Sequence, residues 1–329
     1  MPKRTFRIRE GEPLLDIASY GRVGLREAGG RLTSEQLEQI QRTVRRTPEA
    51  VVKVLPRASN DLKAVGKHLD YIGRKGELEL ETDDGERLSG RIGKDLLDDW
   101  DLDIDDMRRQ ATLAATKGRN SPKLVHKLMF SMPPGTPPDK VLGAVRNFAR
   151  EEFWGQHRYA FVLHTDEPHP HVHLVLKAVS EEGVRLNIKK ATLRDWRSNF
   201  ARNLRLLGVE ANATERAVRG ESGKAQKDGI YHAGLRDDSR HIRARAEAVA
   251  AELLNGNKRV ESGKRTIVDT RRQVESGWQT LGDNLAKVGS RDLAREVQQF
   301  VARMPPPRTE KELITARMLE RTREHTMTR

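Results

Sequence analysis

Four of the chain's ten histidines fall within ten residues, in the run His164-Thr165-Asp166-Glu167-Pro168-His169-Pro170-His171-Val172-His173. The apolar stretch Tyr159-Ala160-Phe161-Val162-Leu163 precedes it and Leu174-Val175-Leu176-Lys177 follows it. That pattern predicts strand, tight Pro-rich turn, strand: an antiparallel hairpin. Side chains on a strand repeat every second residue, so His171 and His173 share a face, and His164 at the end of the partner strand can look at them across the turn. Three converging imidazoles make a facial set of nitrogen ligands for a divalent cation, with other positions left for substrate oxygen. The competing interpretation is a His-rich surface turn, which would be the better one for a lone pair of histidines. The third imidazole and the strand context tip the balance toward a metal site. His169 and the two prolines shape the turn, because proline restricts both itself and the residue before it. Asp166 has two equally good uses. It could accept the second ring N–H of a metal-bound imidazole, or it could cap the turn.

A second group with chemical potential is Tyr71. The run Ala50-Val51-Val52-Lys53-Val54-Leu55 reads as a strand stopped by Pro56, and Ser59 or Asn60 can cap a helix that begins at Asp61. Leu62, Val65, Leu69 and Ile72 fall within roughly a quarter-turn of one another at about 100° per residue, a buried stripe. Tyr71 lies about 180° from Leu62, beside Lys67, on the face that the stripe leaves out. A phenol so placed can attack a phosphodiester, forming a phosphotyrosine and releasing a 3′-hydroxyl, while a metal neutralises charge on the phosphate oxygens. The other three tyrosines are worse candidates, Tyr159 being part of a strand and Tyr20 and Tyr231 lying in weakly patterned flanks.

The elements that must hold these groups follow from the rest of the chain. Residues 1–48 form an Arg-, Glu- and Gly-rich extension with one helix over 34–46. Residues 77–120 read as an insertion with one or two short helices, its acidic run Asp98-Asp99-Trp100-Asp101-Leu102-Asp103-Ile104-Asp105-Asp106 forming a solvated face. A strand over 124–132 leads through a Pro-rich turn into an amphipathic helix with Val141, Leu142, Val145, Phe148 and Phe153, then the hairpin, then a helix over 191–207. This order predicts an α+β fold: a central, mostly antiparallel sheet with helices packed on one face. Beyond about Gly220 the character changes: residues 238–303 read as two or three long charged helices, followed by a Pro305-Pro306-Pro307 break and a short basic helix, a docking or wrapping tail. The expected domains are therefore 1–48, 49–225 and 226–329.

Length and charge bound the function. The 329 residues suffice for two domains, yet only 36% are hydrophobic and 33% charged, so much of the chain is solvated. A net charge of +13 and a pI near 10.0 call for a polyanionic partner, most simply nucleic acid bound in a salt-sensitive way. The absence of cysteine excludes disulfides and thiolate metal sites. With no apolar run near 18 residues and no signal peptide, a cytoplasmic protein without membrane insertion is expected.

Together these residues resemble the relaxases that nick and carry DNA in conjugation, within the endonucleases named for a histidine-hydrophobic-histidine motif. The branch of the T-DNA border endonuclease and the plasmid mobilisation relaxases is the most similar. Tyr71-Ile72-Gly73-Arg74-Lys75-Gly76-Glu77-Leu78-Glu79-Leu80 resembles its nucleophile motif, and Phe130-Ser131-Met132-Pro133-Pro134-Gly135-Thr136 its second motif, whose serine contacts DNA near the scissile site. The 164–173 block is similar to the third motif, in which the positions of His164, His171 and His173 hold the metal. Thr214-Glu215-Arg216-Ala217-Val218-Arg219-Gly220 resembles the Arg-rich stretch that closes the domain. The likeness spans about 48–222. Some members carry a second acid where this chain has Pro168, which leaves Asp166 as the carboxylate that could take the phenol proton.

The resemblance implies strand-specific nicking at a plasmid transfer origin through a 5′-phosphotyrosine on Tyr71. It also implies accessory, coupling and secretion proteins as partners, and passage to a recipient cell with the DNA. Ser131, Lys67, Arg74, Lys75, Arg216 and Arg219 are the DNA-binding candidates. Each has a plainer use: a turn-forming serine, a solvated helix end, or uninformative surface charge. Three imidazoles suit manganese, zinc, cobalt or nickel by affinity, whereas the family and phosphate chemistry favour Mg2+ or Mn2+. A replication initiator or transposase of the same superfamily, and a non-catalytic basic DNA-binding accessory protein, are the alternatives. The position of Tyr71 ahead of the histidines favours a relaxase.

Overall fold

A computed structural model describes residues 32, 34–55, 60–115, 122–222, 240–255, 261 and 263–327. Tyr20, Tyr231 and most of the N-terminal extension lie outside the described residues. The chain divides into two compact units, one formed by Arg46–Ala213 and the other by the segments on either side of it.

The central unit is α+β. Its sheet has six antiparallel strands: β1 (Val51–Leu55), β2 (Leu80–Thr82), β3 (Arg87–Leu88), β4 (Val125–Ser131), β5 (Tyr159–His164) and β6 (His171–Lys177), in the order β1-β4-β6-β5-β2-β3. Helices α2 (Leu62–Ile72), α3 (Gly93–Asp99), α4 (Leu102–Ala115), α5 (Pro138–Phe153) and α6 (Lys190–Leu206) pack against it, α1 (Ser34–Val44) belonging to the other unit.

Helices cover both faces, not one. On one side Leu128, Phe130, Val172 and Leu174 meet Val145 and Phe148 of α5 and Phe200 and Leu204 of α6. On the other, Val125, Ala160, Val162 and Val175 meet Val65, Leu69 and Ile72 of α2, with Leu96, Trp100 and Leu102 beyond them. Strands β4 and β6 are accordingly buried almost without interruption, as strands sandwiched between two layers are. The run Val172, Leu174, Val175, Leu176 carries that two-sided signal in the sequence.

The insertion contributes sheet as well as helix, because β2 pairs with β5 through Glu81↔Phe161 and Thr82↔Ala160. The acidic run is not a continuous solvated face. It is split between α3 and α4, and Trp100 and Leu102 at the junction are core residues. Asp105 is buried too, 3.9 Å from Lys177. The cap of α2 is Asp61, one residue later than expected: its carboxylate accepts the Ala64 N–H at 2.7 Å.

The other unit is helical: α1 (Ser34–Val44), α7 (Arg240–Leu254), α8 (Lys264–Lys287), α9 (Arg291–Ala302) and α10 (Glu310–Met327). Ile40 of α1 shares a core with Val274, Trp278 and Leu281 of α8 and with Val297 and Phe300 of α9. The Trp278 indole N–H donates to the Val218 carbonyl at 2.9 Å, which places the Arg-rich stretch in this unit.

Candidate active site and metal centre

Sheet register determines how the histidines meet. His164 of β5 lies directly opposite His171 of β6, and Ser131 of β4 flanks His171 on its other side. His173 is the next β6 residue on the same face, between Val162 and Met129. The imidazole centroids lie 5.1 Å (His164–His171), 4.8 Å (His164–His173) and 5.3 Å (His171–His173) apart. One ring nitrogen from each falls within 4.8 Å of the other two.

Hydrogen bonds sort the ring nitrogens into donors and lone-pair atoms. The Nε2–H of His164 donates to the Ile72 carbonyl at 2.7 Å, which leaves the Nδ1 lone pair, with Arg74 Nη2 at 3.5 Å from it. The Nδ1–H of His171 donates to the His169 carbonyl at 3.3 Å and leaves Nε2. Nδ1 of His173 is buried with no hydrogen-bond partner among the described residues. Burial pushes the pKa of His164 down and that of His173 down to about 3, so both are neutral, as a metal ligand must be. The donor set therefore fits a divalent ion. Glu167, His169 and His171 form a second possible group, but it needs the same His171 and its first two members already pair at 3.1 Å in the turn.

Tyr71 reaches solvent, 62% exposed, on a helix whose opposite side is core. Two side chains link it to the histidines. His68, one helical turn earlier, stacks on Tyr71 (centroids 6.4 Å, planes 22° apart) and meets His173 edge-on at 6.4 Å. Arg74 sets its guanidinium 5.7 Å from the Tyr71 ring centroid and 3.5 Å from Nδ1 of His164, and it pairs with Asp166. Asp166 thus pairs with Arg74, and the Ile72 carbonyl takes the second ring N–H of His164. Arg74 and Lys75 both sit in the left-handed region, at φ 52° and 57°, and Gly76 follows at φ 104°. Non-glycine residues held there carry local strain, which concentrates at functional sites.

Ser131 is buried beside His171, while Lys67 and Lys75 are exposed near Tyr71. Arg216 and Arg219 belong to the helical unit, where both close on Glu221. Two groups at the site carry little sequence signal. His68 is marked only by its spacing of three from Tyr71, which puts the two on adjacent positions of one helix face. Lys127 lies mid-strand in β4 and is buried.

Residues 71–205 match the family model for relaxases described as MobA/VirD2-like, nuclease domain, and this part of the chain is a relaxase nuclease domain. No curated protein matches the chain.

Proposed function

We propose that this nuclease domain cuts one DNA strand at a plasmid transfer origin by transesterification. The Tyr71 phenol oxygen bonds to the scissile phosphorus, the 3′-oxygen leaves, and the proton lost by the phenol is balanced by the one the new 3′-hydroxyl takes up. The reverse attack by a 3′-hydroxyl rejoins the strand. One observation carries this reading: Tyr71 is exposed at the end of α2, and the carbonyl of the next residue, Ile72, fixes the ring of His164. Nucleophile and ligand set are then positioned by one piece of backbone.

His164, His171 and His173 would hold the divalent ion, Mg2+ or Mn2+ in this reading, which when bound neutralises charge on the phosphate oxygens. Arg74, anchored by Asp166, offers its guanidinium to the phosphate beside Tyr71. Lys67 and Lys75 add positive charge along the approach, and Ser131 supplies a hydroxyl beside His171. Single-stranded DNA is the substrate form that relaxase nuclease domains bind. Accessory and coupling proteins would deliver the exposed strand and carry the adduct onward. Among the described residues no helix is long and apolar enough to cross a membrane.

The test is a denaturing gel of the protein mixed with labelled single-stranded origin oligonucleotides, with and without manganese. A metal-dependent covalent adduct that vanishes in Tyr71→Phe, and falls together with manganese affinity in His171→Ala, is the expected result. An adduct that persists in Tyr71→Phe assigns the nucleophile elsewhere.

A further inference from the structure

Helix α2 covers only part of its sheet face. Its core partners Val125, Ala160, Val162 and Val175 lie on β4, β5 and β6, whereas Val51, Lys53 and Leu55 of β1 and Met129 of β4 are half-buried and outside that cluster. Register puts these residues on the same face: Val51 opposite Ser131, Lys53 opposite Met129, Leu55 opposite Lys127. A strip of sheet beside α2 therefore runs from Leu55 and Lys127 to Ser131 and His171, at the end of the sheet where the histidines stand.

Lys127 is the unusual residue of this strip. It is 2% exposed, in the second strand from the sheet edge, and its side chain makes no hydrogen bond or ion pair among the described residues. Its charge is felt by His68, the residue stacked on Tyr71, and both burial and that charge keep His68 neutral, with a pKa pulled down to about 4. An ammonium on a side chain this buried, with no counter-ion, is costly, so such a group calls for an anion supplied from outside. Burial lowers its own pKa to about 8, which leaves the ammonium the main form at neutral pH. Lys127 stands four residues from Ser131 along β4, about 13 Å at roughly 3.3 Å per residue. That spacing sets Lys127 apart from the position a scissile phosphate would take at the histidines.

We infer that Lys127 is a DNA-binding residue that pairs with a non-scissile backbone phosphate further along the strand, seating single-stranded DNA on the strip between α2 and β1. This rests on the nuclease reading above and adds where the strand runs. Sequence-independent phosphate pairing at the floor of the site would hold the strand in register while Tyr71 acts.

The experiment measures the salt dependence of binding of a single-stranded oligonucleotide to the full chain carrying Tyr71→Phe, with chelator present, for Lys127 and for Lys127→Met, Lys127→Gln and Lys127→Arg. Losing one phosphate contact lowers the slope of log K against log salt by about 0.7, equivalent to about an eightfold loss of affinity at 0.05 M salt relative to a 1 M reference. The neutral variants are expected to show that loss with manganese affinity and thermal stability kept or improved, and Lys127→Arg to restore most of the slope. An unchanged slope in whichever neutral variant folds overturns the inference. So does a stability loss with DNA binding intact. Should that happen while the wild-type chain still forms the Tyr71 adduct, the nuclease reading stands without this residue; a wild-type chain that forms no adduct brings down the nuclease reading itself.

Discussion

The turn after Tyr71 depends on Gly76 in a way that can be measured against an internal control. Gly76 has φ 104°, and a Cβ added there would lie 2.5 Å from the Cα of Gly90, closer than real Cβ contacts come. Gly85 has a comparable φ of 90°, with nothing within 4 Å of the same added atom. Gly85→Ala thus incurs only the backbone term, about 1–3 kcal/mol for a side chain held in that region. Gly76→Ala incurs the same term plus a steric one, about 1–3 kcal/mol when the neighbour is packed backbone that must shift. Urea denaturation of both variants should therefore place Gly76→Ala below Gly85→Ala by about 1–3 kcal/mol. The difference should also appear in function, since relief of the clash displaces the Arg74–Gly76 turn and with it Arg74, Asp166 and the end of α2. Adduct formation should slow in Gly76→Ala and stay at the wild-type rate in Gly85→Ala. Equal stabilities for the two variants, or equal rates, would refute the close approach of the two loops and the role given to the turn.

Acid sensitivity should begin well above the carboxylate range. His126, on the sheet face away from the histidine cluster, donates its Nε2–H to the Leu186 carbonyl at 3.2 Å, and burial lowers its pKa to about 4. Because the folded-state value is depressed, its contribution is complete above the ordinary value of 6.5 and is lost as pH falls toward 4; at about 1.36 kcal/mol per unit, going from 6.5 to 5 removes about 2 kcal/mol. Urea midpoints at pH 7 and 5 should converge by that amount in His126→Gln, and identical pH slopes for variant and wild type would exclude it. Trp100, 1% exposed, should lose about 3–5 kcal/mol on replacement by Ala, as a core indole does, whereas a solvated acidic segment would tolerate the change in the same denaturation assay.

Much of the site is legible in the sequence because strand parity is a strict rule. The separation of two between His171 and His173 puts them on one face, and the turn length brings His164 opposite. The exposure of Tyr71 follows equally from helical angles, since the apolar stripe at Leu62, Val65, Leu69 and Ile72 leaves it out. The partners of these groups are not legible. Ile72 and His164 are 92 residues apart, and their bond uses a backbone carbonyl, which no residue type announces. Asp166 offered two local uses and adopts a third, with Arg74, because the strained turn brings a guanidinium within its reach. The acidic run misleads for a simpler reason. Its charge count hides Trp100 and Leu102, whose burial area outweighs the carboxylates around them, and β2 is too short to stand out from a turn.

The division of the chain has a consequence for its synthesis. The Asn212 N–H donates to the Pro48 carbonyl and the Ala50 N–H to the Asn212 carbonyl, both at 2.8 Å, so the central unit begins and ends at one point and is complete once its last residue has been made. Helix α1 is made before it, yet the residues that cover Ile40, among them Val274 and Trp278, emerge more than two hundred residues later. At roughly 5–20 residues per second, the apolar side of α1 waits about 10–50 s for its partners while the nuclease unit is already folding. A nascent chain of this protein would pass through a stage with a finished centre and an orphaned N-terminal helix. That stage is where a chaperone would find its grip.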